Sequence, residues 1–571
     1  MADAEADPAL MSADQGKGPW FGHPSQLARL FSTEAMERFG FYGMRALLVL
    51  YLVGHFQYKD VASNSLYGGV LSLVYLTPVI GGMLADRVLG YKRAVKFGAL
   101  VMSLGYLILC FGGDPAKPYA TIQGQHYDVL EQGHGKATQR YIIDRGEKLV
   151  IKGNDDKSVS LLGADGKEVR HIAGTDFVPD ATRDPFFAAL ALVALALISV
   201  GNGFFKPNIS TIVGALYADG DRRRDAGYAI FYMGINVGAL VSQMICPLLA
   251  LGMGDWPGIG WSAGFGLAAA GMLVAWALIQ FSGEQLRGYG DPPSQDGADK
   301  AWLVYLGTAL SVPVVWFLLN NVLGQQSDES NAGVLAYLAS LPLLGKLLGL
   351  SFVMAIPAVL IWAWRAGTKI QAQMMTAAVV MILFNVIFMT LFEQAGSSLT
   401  LFAQRNTDLS VFGLFTLNAG QTQLLNSLFV VLLSPVFALM WTALHKRSLE
   451  PTTPFKFGLG VLGAGLGFLF LVWGSQFHDA NYQVGFWWLA GLYLIHTIAE
   501  LCIQPVGLSM ISKLSMPKVL GLMFGLWFLS IAVAEFVAGI LAALASVKTV
   551  GGEVTNLKVS LDTYTVSFTH V

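Results

Sequence analysis

Four charged residues stand in one short stretch, "EAMERFGFYGMR", which runs from Glu34 to Arg45 and leads directly into the apolar run "ALLVLYLVG". At about 3.6 residues per helical turn, Glu34, Glu37, Arg38, Tyr42 and Arg45 fall within an arc of about 140° on one helix face. Each charge placed in the middle of a membrane costs at least about 2.5 kcal/mol. Several on one face therefore need partners or a water-filled cavity. An i,i+4 pair between Glu34 and Arg38 would account for two of them as helix glue. It leaves Arg45 unexplained, together with Lys206, Glu393 and Glu500 in other apolar segments, and a polar pathway through the membrane accounts for the whole set.

Other residues are candidates for the same pathway. Tyr232 and Asn236 in "FYMGINVGAL" share a helix face, and Asn426 lies in "QLLNSLF"; each can line a cavity or tie helices together. His496 stands one turn before Glu500, either as a proton relay or, the preferred reading, as a packed and hydrogen-bonded histidine. "GGMLADRVLGYKR", residues 81–93, carries Asp86 and Arg87 where a helix leaves the membrane, and suits a conformational latch better than a ligand site. No cluster with metal-ligand spacing, phosphate loop or nucleophile elbow is legible, so neither an enzyme, a metal site nor an ATP-driven pump is expected.

The elements that must position these groups are membrane helices. Of 571 residues, 54% are hydrophobic and 13% charged, where soluble domains average about 25% charged. Mean hydropathy is +0.55. Basic and acidic residues nearly cancel, at 36 and 38, which gives no nucleic-acid footprint. Cys110, Cys246 and Cys502 lie in apolar runs and read as free thiols. Residues 1–26 read as a disordered tail without a cleavable signal. Thirteen spans of about 20 residues or more are expected near 27–54, 63–86, 94–112, 185–217, 226–251, 260–282, 301–322, 332–364, 374–403, 421–444, 455–475, 484–512 and 518–547. With the N-terminus cytoplasmic, the inside loops collect Arg87, Lys92, Arg93, Arg222, Arg223, Arg224, Arg365, Lys369, Lys446, Arg447, Lys513 and Lys518, whereas the outside loops hold little beyond Lys59 and Arg405. Residues 113–184 read as a β-rich module outside the membrane, because short alternating runs are separated by turn signals. Residues 548–571 read as a polar tail.

Two internal echoes organise the spans. "YLTPVIGGML" from Tyr75 resembles "LLSPVFALMW" from Leu432, and "FFKPNISTIVG" from Phe204 resembles "CIQPVGLSMIS" from Cys502. They imply two related six-helix halves, 27–112 with 185–282 and 374–547, with 301–364 as an inserted helical hairpin. Repeated halves with a site between them are the plan of secondary transporters. The second echo sets Lys206 opposite Gln504 and Asn202 opposite Glu500, one basic and one acidic helix facing a common cavity.

Together the segments resemble the proton-dependent oligopeptide transporter family of the major facilitator superfamily. "EAMERFGFYGMR" is similar to its E-x-x-E-R-F-x-Y-Y motif, "GGMLADRVLGYKR" to the superfamily's loop motif, and "FYMGINVGAL", "FFKPN", "LFEQAG" and "AELCIQPVGLS" to its fifth, fourth, seventh and tenth helices. The resemblance implies an all-α polytopic fold and proton-coupled import of di- and tripeptides across the inner (plasma) membrane. It implies a monomer with no cofactor beyond the proton gradient. Arg45 and Lys206 would hold the peptide carboxylate with Arg38 nearby, and Glu500 the amino terminus, assisted by Asn426. Tyr42, Tyr75, Tyr232, Asn236 and Trp527 would line the cavity. Glu34, Glu37, Arg38 and Glu393 would couple protons to movement, with Glu393 alternating between Arg45 and a proton. Arg45, Glu393, Asp86 and Arg87 would gate.

Departures from the family's pattern are Phe41 for a motif tyrosine, Gln504 for a serine before the tenth-helix proline, and Gly68 where animal members have a histidine. A twelfth helix is also absent, "YTVSFTHV" resembling its beginning as though the sequence were cut short. Two other readings compete, the first on the same fold and the second of a different class. In one the cargo is nitrate or another organic anion, which leaves Glu500 nothing to bind. In the other the protein is a sensor or scaffold, which has no need of the buried charges.

Overall fold

The computed structural model describes residues 20–132, 138–218, 221, 223–292, 299–324 and 334–571. The first 19 residues of the expected tail, Arg222 and the start of the expected 332–364 span lie outside them.

The first half consists of α1 (Ser25–Gly54), α2 (Asp60–Leu84, continued by a wider turn over Ala85–Leu89), α3 (Tyr91–Leu109), α4 (Pro185–Ala215), α5 (Arg223–Leu251) and α6 (Trp261–Gln280). Then come α7 (Ala301–Gly324), the short α8 (Val334–Ser340) and α9 (Leu343–Ala366). The second half has α10 (Lys369–Phe392), α11 (Ser398–Asn406), α12 (Leu424–Lys446), α13 (Thr453–Gly474), α14 (Phe486–Leu514), α15 (Leu520–Leu544) and α16 (Leu557–His570). Among the described residues, eleven spans are long and apolar enough to cross a membrane by length and composition. The other two expected spans, α1 and α3, form helices of 30 and 19 residues and fall outside that number because of their charges.

The helix starts follow local chemistry. Pro185 opens α4 behind Asp184, whose carboxylate accepts from the Phe186 amide, the arrangement expected of a capped first turn. Thr368 and Gln371 form a reciprocal capping box at α10. The repeat is visible in the prolines: Pro78 of α2 matches Pro435 of α12, and Pro207 of α4 matches Pro505 of α14, all inside helices. Small residues bring backbones together where lipid supplies no hydrophobic drive. A Cβ on Gly98 of α3 would stand 2.5 Å from the Gly201 carbonyl oxygen of α4.

Two expected boundaries change. The span placed at 374–403 is not one helix: α10 stops at Phe392, a tight turn covers Glu393–Gly396, and α11 follows. The expected 332–364 span breaks between α8 and α9 around Pro342, whose ring leaves no amide for a continuous ladder.

Residues 117–182 form eight strands, β1 (Lys117–Ile122), β2 (Gln125–Asp128), β3 (Leu130–Gln132), β4 (Gln139–Asp144), β5 (Glu147–Gly153), β6 (Val159–Leu162), β7 (Glu168–Ile172) and β8 (Phe177–Thr182), as the turn signals suggested. They make a three-stranded sheet, β2-β1-β8, and a five-stranded meander, β3 to β7, all antiparallel. Ile122, Ile142, Leu161, Ile172 and Phe177 form its apolar core.

This module holds both halves. On the first, the Ala116 amide donates to the His55 carbonyl, and Arg183 donates to the carbonyls of Phe56 and Gln57. On the second, Val550 enters the module's core, the Gly153 amide donates to Thr555 at 3.3 Å, and Asn556 donates to the Gly153 carbonyl and to Asp155. The ammonium of Lys558 lies 2.6 Å from the Asp155 carboxylate. The polar tail expected at 548–571 is ordered: a hairpin pairs Thr549–Val550 with Glu553–Val554. Asn556 then caps α16, a 14-residue helix that packs on α11 and α13.

The two halves meet through α2 against α15 and α5 against α12. Hydrogen bonds joining them gather at the end carrying the β module. Asn64 donates to the Ala542 carbonyl, Asn418 to those of Pro247 and Gly252, Gln421 to that of Met244, and Ser427 to Gln243. Arg405 was expected in an outer loop. It is buried in α11, where it donates twice to Asp60 at the start of α2, at 2.6 and 2.7 Å.

Candidate transport site

The charged face of α1 is buried from Glu34 to Arg45. Arg38 is ion-paired with Glu37 and lies 3.4 Å from Glu34, so the guanidinium is held between two carboxylates. It also donates to Asn202 of α4, whose amide donates to the Val74 carbonyl of α2. One network thus ties α1, α2 and α4. Phe41, where a tyrosine was expected, places its ring 5.1 Å from the Arg38 guanidinium carbon. A ring face attracts the cation, a contact that phenylalanine keeps while the hydroxyl of a tyrosine is lost.

Arg45 crosses the gap between the halves. Its guanidinium forms an ion pair with Glu393, the residue after α10, and donates to the Tyr67 hydroxyl at 2.8 Å. The two side chains are 8% and 3% exposed. Tyr42 lies beside Arg45, 5.8 Å from ring centre to guanidinium carbon.

Lys206 of α4 is half-buried, with its ammonium 4.4 Å above the ring of Tyr75. On the second half, Asn426 of α12 donates to the Glu500 carboxylate of α14 at 2.9 Å and to Thr497 at 3.1 Å. Glu500 lies within the fields of Arg45 and Glu393, and Tyr42 within those of Arg38, Arg45, Glu393 and Glu500. The charges of the two halves therefore share one space. Tyr232 of α5 is 47% exposed and feels Glu500. The Asn236 amide donates back to the Tyr232 carbonyl, so it holds its own helix turn. Trp527 of α15 is buried and packs against Gly507 of α14.

Asp86 and Arg87 do not join this group. Both are exposed in the turn after α2. The ion pairs of that region run from Lys92 to Asp291 at 2.5 Å and from Arg93 to Asp299 at 2.7 Å. His496 is buried, with a ring nitrogen 2.9 Å from the Ala464 carbonyl, the packed arrangement. Among the described residues, no group of three metal-ligating side chains occurs. A cleft of about 740 Å³ between α10, α13 and α14, lined by residues such as Gln373, Phe384 and Met510, shares no side chain with the charged site.

Sequence reasoning passed over two buried features. The Asp60–Arg405 pair was hidden because each residue stands at a helix end. Glu535 lies in "SIAVAEFVAGI" on α15 and is 1% exposed. The rule that flagged Glu393 and Glu500 applies to it equally, as a lone acid in an apolar span.

A profile of the POT family matches residues 92–557. The chain belongs to the POT family. Among similar POT-family and related proteins, the chain is 30% identical to the uncharacterized transporter YclF of Bacillus subtilis, over 95% of this chain and 92% of that one. It is 27% identical to the dipeptide and tripeptide permease A of Edwardsiella piscicida, over 96% and 92%. A crystal structure of peptide transporter POT in complex with sulfate superposes on this POT-family chain with a TM-score of 0.70 and 28% identity, covering 99% of this chain and 94% of the other. Members of the POT family are transporters, and the helical fold with its β insertion is that of a major-facilitator-like membrane protein.

Proposed function

We propose that this POT-family chain imports di- and tripeptides together with protons, by alternating access between its two halves. The observation that carries this reading is the pairing of Arg45 and Lys206 on the first half with the Asn426–Glu500 unit on the second. A zwitterionic peptide has an anionic and a cationic end a nearly fixed backbone apart. Arg45 and Lys206 take its carboxylate, with Arg38 adding positive potential, and Glu500 takes its ammonium. Tyr42, Tyr75, Tyr232 and Trp527 give the side chains broad aromatic walls, so selectivity among peptides is loose.

Coupling follows from competition for one cation. A peptide carboxylate arriving at Arg45 displaces Glu393, and the displaced carboxylate is accommodated by taking up a proton. The Glu34–Glu37–Arg38 group links protonation to the positions of α1 and α4. Each state binds the proton and the peptide differently, which is what coupling requires. The end bearing the β module faces outside, the N-terminus and the basic loops face the cytoplasm of the cell's inner membrane, and one chain carries the whole path. No cofactor is needed, because the gradient supplies the energy. Nitrate or another anion is the second reading, disfavoured because it leaves Glu500 without a partner.

The test is labelled dialanine uptake in proteoliposomes with and without an inward proton gradient, with nitrate run in parallel. Gradient-driven dialanine accumulation is expected. Nitrate uptake without dialanine uptake would overturn the reading.

A further inference from the structure

Five carboxyls and three cations share the interior between the halves. Glu34 and Glu37 flank Arg38 and feel Lys206. Glu393 is paired with Arg45, and Glu500 accepts from Asn426. Glu535 has no such arrangement. Its side chain is buried, and neither carboxyl oxygen has a hydrogen-bond partner among the described residues.

The titratable groups that bear on Glu535 come from several elements: Tyr67 and Tyr75 on α2, Arg45 on α1, Lys206 on α4 and Glu393 beyond α10. Both cations already have other neighbours. Arg45 is occupied by Glu393, and Lys206 sits over Tyr75 among the α1 acids. On α9, Gly345 lies against Phe536, beside Glu535, and brings no charge. An ionised carboxylate held there without donor or water would be a costly arrangement. The neutral acid carries no such charge.

Position adds a second argument. Glu535 lies on the seam between α2 and α15: a Cβ on Gly68 would stand 2.7 Å from the Glu535 carbonyl oxygen. This seam joins the halves at the end tied by Asp60 and Arg405. Parting the halves there brings the carboxyl to water, and closing them removes it.

We propose that Glu535 is a second proton-carrying carboxyl of the transport cycle, distinct from Glu393. The proposal rests on the proton-coupled peptide reading above. A zwitterionic peptide adds one charge of each sign, so the loaded site keeps an excess of two carboxyls. Two protons from the outer medium bring it to neutrality. One neutralises the carboxylate that the peptide displaces from Arg45, and the other is held by Glu535. Both are released to the opposite side after the peptide has left and before the emptied halves part again at the outer end.

The experiment measures the proton-to-dialanine ratio in proteoliposomes, from the membrane potential at which uptake reverses, for wild type and Glu535→Gln. The ratio is expected to fall by one proton per peptide. An unchanged ratio in a folded Glu535→Gln protein would overturn the proposal. If that variant does not fold, Glu535→Asp takes its place: it keeps an ionisable group and is expected to retain the wild-type ratio, and a lowered ratio there counts against the proposal. Infrared spectra of the purified protein without substrate give an independent readout. At neutral pH the carbonyl band of a protonated carboxylic acid is expected in wild type and reduced in Glu535→Gln. A band identical in both proteins overturns the proton site whatever the cargo. A reduced band in a protein that does not carry dialanine would sink the peptide reading and leave the proton site standing.

Discussion

Asp60 and Arg405 form a doubly hydrogen-bonded pair, with side chains 1% and 0% exposed, linking the first residue of α2 to the last turn of α11. The Tyr564 hydroxyl accepts a third bond from Arg405, and the Val547 amide donates to Asp60. This cluster joins both halves at one end of the molecule. Removing one member leaves a buried charge alone, which costs about 3–5 kcal/mol. Asp60→Asn is therefore expected to lower the melting temperature in detergent markedly, and Asp60→Asn with Arg405→Gln to recover part of the loss. A single variant as stable as wild type would show that the pair does not hold this end together.

The Arg45–Glu393 pair lies deeper, and its role is dynamic. In Glu393→Gln the carboxyl can no longer gain or lose a proton. Concentrative uptake driven by a pH gradient is expected to fall to what one proton per peptide supports, because Glu535 still carries its own, while exchange of labelled for unlabelled dialanine persists. A proton-to-peptide ratio unchanged from wild type would move this coupling site elsewhere.

Glu500 separates substrate binding from coupling. A hydrogen bond to a charged group is worth about 1.5–3 kcal/mol, and its loss corresponds to roughly a 10- to 150-fold weaker affinity. Glu500→Gln is expected to weaken dialanine by that range. N-acetylated dialanine, which has no ammonium, should bind wild type and Glu500→Gln alike. An equal loss for both ligands would mean that Glu500 acts on the fold.

The α2–α15 seam has no room for a side chain at Gly68. An added Cβ would lie 2.7 Å from the Glu535 oxygen and 2.9 Å from the Gly539 Cα, both backbone atoms. Overpacking of this kind costs about 1–3 kcal/mol, and here the cost falls only on the state with this end closed. Gly68→Val is expected to increase labelling of a cysteine placed at Asn64. Unchanged labelling would show that the seam absorbs the bulk.

The link between Asp155 and Lys558 sets a pH window. Hydrogen bonds from Lys558 and Asn556 hold the Asp155 carboxyl below its ordinary value, and Asp155 holds the Lys558 ammonium above its own. The depressed acid contributes above its free value of about 3.9 and loses its contribution as pH falls through the lower folded value. The raised base contributes below about 10.4 and loses its contribution as pH climbs through the higher folded one. Between about pH 5 and 8 the link is constant. Hydrogen-exchange protection of the Gly153 amide, which donates to Thr555 beside this pair, should then be insensitive to pH in that interval once the intrinsic pH dependence of exchange is corrected for. A steep change would show that the docking itself titrates.

Much of the architecture was legible because membrane insertion penalises errors so heavily. Apolar length fixed the helices, and the prolines of the echoed segments marked the matching turns of the two halves. The charges on α1 were recognisable by their spacing alone, and the pair that Arg45 makes with Glu393 is the one that the family resemblance implies. The rest depended on tertiary contact. Nothing local distinguishes Arg405 as a buried residue from an arginine at a solvated helix end. Glu535 obeys the same insertion rule as Glu393 yet lies in no motif. The residues just after α15 read only as polar because their hairpin is held by partners far away in sequence, Gly153 and Asp155 above all, whereas "YTVSFTHV" already resembles the start of a helix.

The β module is covalently fixed to α3 and α4, and it grips the hairpin and helix cap that follow α15. When a bond such as that from Gly153 to Thr555 breaks, its ends stay close, so re-formation is an intramolecular event at high effective concentration. Several such bonds act together, and the loss of one does not free the rest. The module is thus a set of contacts quick to re-form at the end it covers, built from residues other than those of the charged site.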